Sequence, residues 1–379
     1  LPFSGPLPLA LLEAPPAAVP PVGASAPGTT LRVRFERDAA GAALPPVDEA
    51  DWLAAWPAWL ASCRALTAPR NAHRLAWEAP CARALALNPQ RGTQVRDFFA
   101  AQLEPYRVVA LEGPEAAARE TGLVTGYYEP ELEGRRTRGA PYLTPIYRLP
   151  PRVPTAPRAQ LEASGQLQGQ ELLWLRDPVE AFFLEVQGSG RVHLDSGAWV
   201  RVAYAGTNGQ PYRSIGRWLI EQGELPAEHV SMPAIVDWAR NHPQRLRELL
   251  DQNPRVVFFR AQELGSADPG PVGTLGVALT PGVSVAVDPA YLPLGAPLLL
   301  SIASPAAGVS AASGMALEDP LPARLALAQD TGGAIHGPLR IDWYWGEGSA
   351  AGEIAGRQRA QASIRLLVPR GVAPSSLVP

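Results

Sequence analysis

Apolar and polar positions divide the chain into helical and β-like stretches that alternate twice. Residues 1–30 show no period; they are rich in Pro, Ala and Gly and read as an extended N-terminal arm. Residues 51–104 read as helical. In WLAAWPAWLASCRAL, Trp52, Trp56 and Trp59 recur at i, i+4, i+7 and share one helical face. Pro57 marks a kink or a boundary there, and Thr93 is placed to cap QVRDFFAAQL. From about 122 the pattern becomes β-like, in GLVTGYY, PYLTPIYRL, AFFLEVQG, RVHLD and WVRVAYAG, with Gly188-Ser189-Gly190 as a hairpin turn. Helices then return. Ser214 caps IGRWLIEQ and Gly223 ends it, Ser231 caps PAIVDWAR with Pro233 in the first turn, and a third covers 243–252. From 255 onward come seven short β-like runs: RVVFFRA, VALTPG, VSVAVDP, APLLLSI, RLALAQD, LRIDWYW and SIRLLVP. Turn signals between them suggest a barrel rather than a doubly wound sheet. The Ala/Gly/Ser-rich segment 302–320 reads as a surface loop.

Composition narrows the classes. A chain of 379 residues, 46% apolar and 18% charged, is long enough for two cored domains. A net charge of -3 gives no electrostatic case for nucleic acid. All 33 basic residues are arginine, which with the abundant Ala and Pro reflects coding bias. No apolar run of bilayer length occurs. The opening LPFSGPLPLA lacks a readable targeting segment, and one is expected to have preceded it. Cys63 and Cys81 are expected to form a disulfide in an oxidising compartment; two buried free thiols are the alternative.

Candidate chemistry is confined to carboxylates. The five histidines are scattered, with no HExxH or CxxC pair, so neither a metal nor another cofactor is expected. Ser189 in QGSGR lacks the spacing of a nucleophile elbow. In LRIDWYW, alternation puts Arg340, Asp342 and Tyr344 on one face and Ile341, Trp343 and Trp345 on the other. That pattern suits either an acid beside an aromatic in a sugar-binding groove or a polar face toward water. Asp330, ahead of Thr331-Gly332-Gly333, and Asp288, ahead of a proline, read singly as turn residues. What sets the three apart is that each closes or occupies a strand of one β-rich region.

Several long motifs, in order, are similar to the membrane-bound lytic transglycosylase A family. They are TGYYEP at 125–130, FFLEVQGSGRV at 182–192, VAYAGTNGQPYRSIG at 202–216, VDPAYLPLGAPLLL, and LALAQDTGGAIHGPLRIDWYWGEG. The resemblance covers roughly 95–370. It implies a mainly β fold with flanking helices: a double-psi β-barrel domain (31–130 plus 256–379) with a smaller inserted β-barrel (131–255), and peptidoglycan in the groove between them. It implies cleavage of the β-1,4 bond between N-acetylmuramic acid and N-acetylglucosamine with a 1,6-anhydro product. Asp342 is then the acid/base and Asp330 its helper. Substrate contacts are expected from Asp288, Tyr127, Tyr128, Glu129, Gln187, Ser189, Gly190, Tyr204, Asn208 and Tyr344, with Tyr212 a further candidate. For the inserted-domain residues, turn and packing roles stay open. The family often carries Lys or Arg where His336 stands. The implied setting is a periplasmic monomer, anchored to the outer membrane as a lipoprotein, with glycan strands and cell-wall synthesis or division proteins as partners. Two rivals remain: a hydrolase using Asp330 or Glu129 as second carboxylate, and a non-catalytic peptidoglycan-binding protein.

Overall fold

The helical N-terminal stretch resolves into three helices packed around its tryptophans. The computed structural model describes residues 31–38, 44–112, 117–227, 229–265, 268–302 and 323–379. The expected arm over 1–30 and nearly all of the expected loop at 302–320 lie outside the described residues. After β1 (Leu31–Arg37), α1 (Glu49–Leu66) runs straight through Pro57, whose ring lies on the exposed side. Its buried face is the one the periodicity predicts. Trp52 and Trp59 lie against Phe99 of α3 (Gly92–Gln102), with ring centroids 5.6 and 5.5 Å apart, and Trp59 also packs on Trp77 of α2 (Arg74–Ala86) at 5.9 Å. Cys63 and Cys81 form a disulfide that staples α1 to α2, as expected. Thr93 is not the cap of α3. The helix starts one residue earlier, and the Gln94 side chain accepts the backbone N–H groups of Gln90 and Arg91.

The chain then enters β structure at Leu103, well before 122. β2 (Leu103–Glu112), β3 (Ala117–Arg119) and β4 (Thr121–Glu129) belong to the first sheet. Next come β5 (Glu131–Arg135), β6 (Thr144–Arg148), α4 (Arg158–Ser164), β7 (Glu171–Leu175) and α5 (Pro178–Gln187). β8 (Ser189–Leu194), β9 (Trp199–Thr207), α6 (Ile215–Glu221), α7 (Met232–Asn241), α8 (Leu246–Asp251) and β10 (Val257–Glu263) complete the middle of the chain. AFFLEVQG, expected as a strand, is helical. Asp177 accepts the Val179 and Glu180 N–H groups, Pro178 fills the first turn, and Gly188 closes the helix at φ 81°. Gly188-Ser189-Gly190 is therefore a helix-to-strand junction, not a hairpin turn. Ser214 and Ser231 cap α6 and α7 as predicted.

β11 (Ser284–Ala286), β12 (Pro297–Ile302), β13 (Arg324–Asp330), β14 (Ile341–Glu347), α9 (Gly348–Arg357) and β15 (Arg359–Pro369) return to the first sheet. Of the seven expected runs, VALTPG forms turns instead of a strand. The order β15-β12-β13-β11-β14-β4 closes on itself through a β15–β4 pairing, making a six-stranded barrel. Its two parallel pairs, β11 with β13 and β14 with β4, give the double-psi arrangement; the remaining pairs are antiparallel. β1, β2 and β3 extend it from β15, and α1 packs on β13. The second barrel, β10-β6-β7-β5-β8-β9, is also closed. Because β10 belongs to it, this barrel extends past the boundary expected at 255. Its strands enclose a core of their own, with Leu173, Val192, Val200, Val202 and Phe259 at the centre. No helix among the described residues is long and apolar enough to cross a membrane.

Candidate active site

Sheet register brings the aspartates into one row. Ala286 of β11 pairs with Asp330 of β13 on one side and with Asp342 of β14 on the other. Asp342 in turn pairs with Thr125 of β4. Directly paired residues point to the same side of a sheet, so Asp330, Ala286, Asp342 and Thr125 form a line across four strands. Two strand spacings separate the two aspartates, roughly 10 Å between backbones. The small Ala286 side chain leaves room between them. Asp330 reaches this row only because the pairing slips by one residue after Val285, a bulge that takes up Gln329. Gln329 is 0% exposed and points inward, where its amide holds Ala58 O and Ser62 Oγ of α1 and accepts the Ser284 hydroxyl.

The two carboxylates have different surroundings. Asp330 accepts the Tyr127 hydroxyl at 2.9 Å on one oxygen, and the Thr274 N–H at 2.9 Å and hydroxyl at 3.0 Å on the other. Burial raises its pKa, with those bonds pulling against the rise. Asp342 accepts one hydrogen bond, from the Thr125 hydroxyl at 2.5 Å; Thr125 itself accepts Arg340 Nη2 at 2.8 Å. The second Asp342 oxygen has no protein partner among the described residues and is not sealed from solvent. Burial lifts the Asp342 pKa to about 6, Thr125 and Arg340 oppose, and the Asp330 charge adds to the rise. Of these influences on Asp342, desolvation is the largest.

The other expected contacts divide into those at the face where the barrels meet and those buried beneath it. Tyr127 is half-buried, and burial together with the Asp330 charge holds its phenol well above its ordinary pKa, so it stays a donor. Tyr128 lies over Gly352 of α9, and its N–H donates to Gln187 Oε1 at the end of α5, a direct link between the barrels. Ser189 and Tyr204 are half-buried on the second barrel, as is Tyr212 on the loop after β9. Asp288 does not join the aspartate row. It accepts the Ala290 N–H in a local turn and the Gly337 N–H at 2.7 Å, so it pins the connector between β13 and β14. His336 is exposed on that connector, its ring within 3.1 Å of Gly333 O.

Four further expected contacts are buried, with protein groups packed or bonded around them. Glu129 is 0% exposed and is gripped by Arg201 through paired bonds of 2.8 and 2.9 Å. Asn208 is 1% exposed; it donates to Ala156 O and Pro254 O and accepts Val256 N–H, which ties three chain segments together. Gly190 is buried beneath Leu184, where a Cβ would come within 2.4 Å of its Cδ1. Tyr344 is 2% exposed, its ring 5.3 Å from that of Tyr127, so it supports the site from behind. Sequence reasoning missed Thr125, although alternation within TGYYEP places it on the same side as Tyr127. It also missed Thr274 and the bulge at Gln329, for which nothing local signals.

Comparison with known proteins agrees with this geometry. Residues 123–260 match the MltA specific insert domain, and residues 283–368 match the 3D domain. The chain is 37% identical over 235 residues to membrane-bound lytic murein transglycosylase A of Escherichia coli; the alignment spans 61% of each protein, so about three-fifths of the curated relative's length. Among solved structures, the lytic transglycosylase LtgG of Burkholderia pseudomallei is 43% identical with a TM-score of 0.54, covering 89% of this chain and 98% of that one. E. coli MltA with bound chitohexaose is 27% identical with a TM-score of 0.66, covering 88% and 94%. Barrel topology, aspartate row and similarity thus converge, and the chain belongs to the MltA family.

Proposed function

We propose that this chain is a lytic transglycosylase of peptidoglycan, cleaving the β-1,4 bond between N-acetylmuramic acid and N-acetylglucosamine with Asp342 as the single acid/base. One observation carries the reading: of the carboxylates near the row, only Asp342 keeps an oxygen for chemistry. Asp330 is occupied by Tyr127 and Thr274, and Glu129 is locked to Arg201. A hydrolase of the common kind needs two working carboxylates. With one, the substrate's own C6 hydroxyl is the natural nucleophile, since it is already held close to the anomeric carbon. Protonated Asp342 gives its proton to the glycosidic oxygen as the C1–O bond breaks. The resulting carboxylate takes the O6 proton as O6 bonds to C1, closing the 1,6-anhydro ring and restoring the acid. No water is consumed. A pKa of about 6 suits both halves of that cycle.

Chitohexaose in the E. coli relative supports a glycan in the same place here. Tyr127, Tyr128, Gln187, Ser189 and Tyr204 would line its path. The disulfide fits an oxidising compartment, and the relatives' name is membrane-bound. We infer from these a periplasmic enzyme tethered to the outer membrane, acting beside cell-wall synthesis or division proteins. The test is digestion of purified sacculi with product mass spectrometry. Anhydro-ended muropeptides are expected, and Asp342→Asn should lose roughly a hundred- to ten-thousand-fold in rate while remaining folded. Reducing-end products would favour hydrolysis. No release by the wild type would leave a binding protein. Turnover by Asp342→Asn within a few-fold of wild type would remove that residue from the chemistry.

A further inference from the structure

The site contains a second arginine that neither the aspartate row nor the proposed chemistry uses. Arg255 stands two residues before β10, on a backbone fixed from several sides. Asn253 Oδ1 accepts the Arg255 N–H at 3.3 Å, Arg158 Nη2 donates to Arg255 O at 2.5 Å, and Asn208 holds Pro254 O and Val256 N on either side. From this base the side chain crosses to the other barrel and packs on Gly333, three residues beyond Asp330. A Cβ at Gly333 would lie 2.0 Å from Arg255 Nη1, so a side chain there would push the guanidinium aside. Nε donates to Gln210 O at 2.8 Å. Among the described residues no acceptor takes Nη1 or Nη2, and no carboxylate lies within ion-pair distance of the guanidinium. Among the described residues the titratable groups that act on it are the phenols of Tyr204 and Tyr212, which burial keeps neutral. Burial holds its pKa below the ordinary arginine value, the mark of a cation short of counter-charge.

Arg340 is different. Its guanidinium is taken up by Leu123 O, Ile341 O and Thr125 Oγ1. Among the described residues Arg255 is thus a cation with donors to spare at the face between the barrels, beside Gly333, three residues beyond Asp330, and with the Tyr204 and Tyr212 phenols nearby. The N-acetylated sugar rings of a glycan strand are neutral. The negative charge of peptidoglycan lies on the peptide stems carried by the lactyl ether of muramic acid. Arginine forks match carboxylates with two parallel bonds.

We propose that Arg255, near Tyr204 and Tyr212, is a subsite for a carboxylate of the peptide stem, so that the enzyme favours peptide-bearing over bare glycan. This rests on the transglycosylase reading. A half-desolvated arginine would favour an anion there more than an exposed one. The competing role is mechanical, with Arg255 acting only as a strut between the barrels.

The experiment compares wild type, Arg255→Gln and Arg255→Lys on sacculus-derived glycan strands, either carrying their stems or stripped of them by an amidase with the freed lactyl carboxyls then capped as neutral methylamides. Each variant is also combined with Asp342→Asn, and binding to both strand types is measured without turnover. For Arg255→Gln, kcat/KM should fall at least about tenfold further on peptide-bearing than on bare strands, and binding should show the same difference. Arg255→Lys should recover part of it, and raised salt should weaken wild-type preference. Equal losses on both strands would mean a strut, and no loss on either would mean no contact; both overturn the subsite. If wild type yields no anhydro product, the transglycosylase reading fails, yet the binding arm still reports on Arg255.

Discussion

At the scale of single residues, the proposed chemistry depends on how one carboxyl holds its proton. Burial is the largest influence on Asp342, raising its pKa to about 6 from an ordinary value near ~3.9. Arg340 opposes through its charge, and Asp330 reinforces. The acid must be protonated when substrate arrives, so kcat/KM should fall as pH rises through about 6. Replacing Arg340 by Met removes a nearby positive charge. That favours the protonated form, and the falling limb should move to higher pH. Replacing Asp330 by Asn removes a negative charge, so the limb should move lower. A pH–rate series on a soluble muropeptide substrate checks both. If the two substitutions move the limb in one direction, the electrostatic account of Asp342 is wrong. His336 lies on the connector rather than in the row, so His336→Gln should leave the limb in place.

At the scale of elements, the site is a matter of register. Strands β13 and β14 were readable from RLALAQD and LRIDWYW as short, mostly apolar runs bounded by turn signals, β13 being buried on both sides. Their pairing with Ala286 was not readable. β11 is three residues long, and its neighbours on either side come from parallel and antiparallel pairings made across long loops. The bulge at Gln329 likewise depends on α1, which is distant in sequence. Family resemblance supplied Asp342 and Asp330, but it pointed equally to residues that the elements use for packing. Asn208 shows the difference. It stands in a motif, TNGQPY, that looks exposed and polar, yet its amide closes the base of β10 against two loops. Asn208→Ala would take the side-chain partner from Val256 N–H and Ala156 O, while Pro254 O keeps the Arg158 N–H. Each buried orphan costs about 1–3 kcal/mol, so a fall of that order is expected in urea denaturation. An unchanged midpoint, with weakened glycan binding instead, would return Asn208 to the substrate.

At the scale of the whole molecule, two closed barrels are joined by chain crossings, and a buried ionic node holds them. β4 of the first barrel ends at Glu129 and β5 of the second begins two residues later. Arg201 of β9, 4% exposed, binds Glu129 and also Asp268, on the stretch where the chain returns toward the first barrel. Arg191 of β8 adds Asp268 at 3.3 Å and Glu347 of β14 at 2.7 Å. Burial raises Glu129 despite Arg201, while at Asp268 the Arg201 bonds outweigh burial and the carboxyl lies low. From composition the two domains were legible, but the node was not, since Glu129 and Asp268 stand 139 residues apart and only the fold brings both to Arg201. Glu129→Ala leaves Arg201 half-paired in a buried place. Removing one partner of such a pair costs about 3–5 kcal/mol, and denaturation should show a loss of that size. The same variant also bears on catalysis. If Glu129 only ties the barrels, the folded fraction at low temperature should still release anhydro products, with the alkaline limb where Asp342 sets it. A folded Glu129→Ala protein that binds glycan but cannot cleave it would make Glu129 a second working carboxylate and restore the two-carboxylate reading.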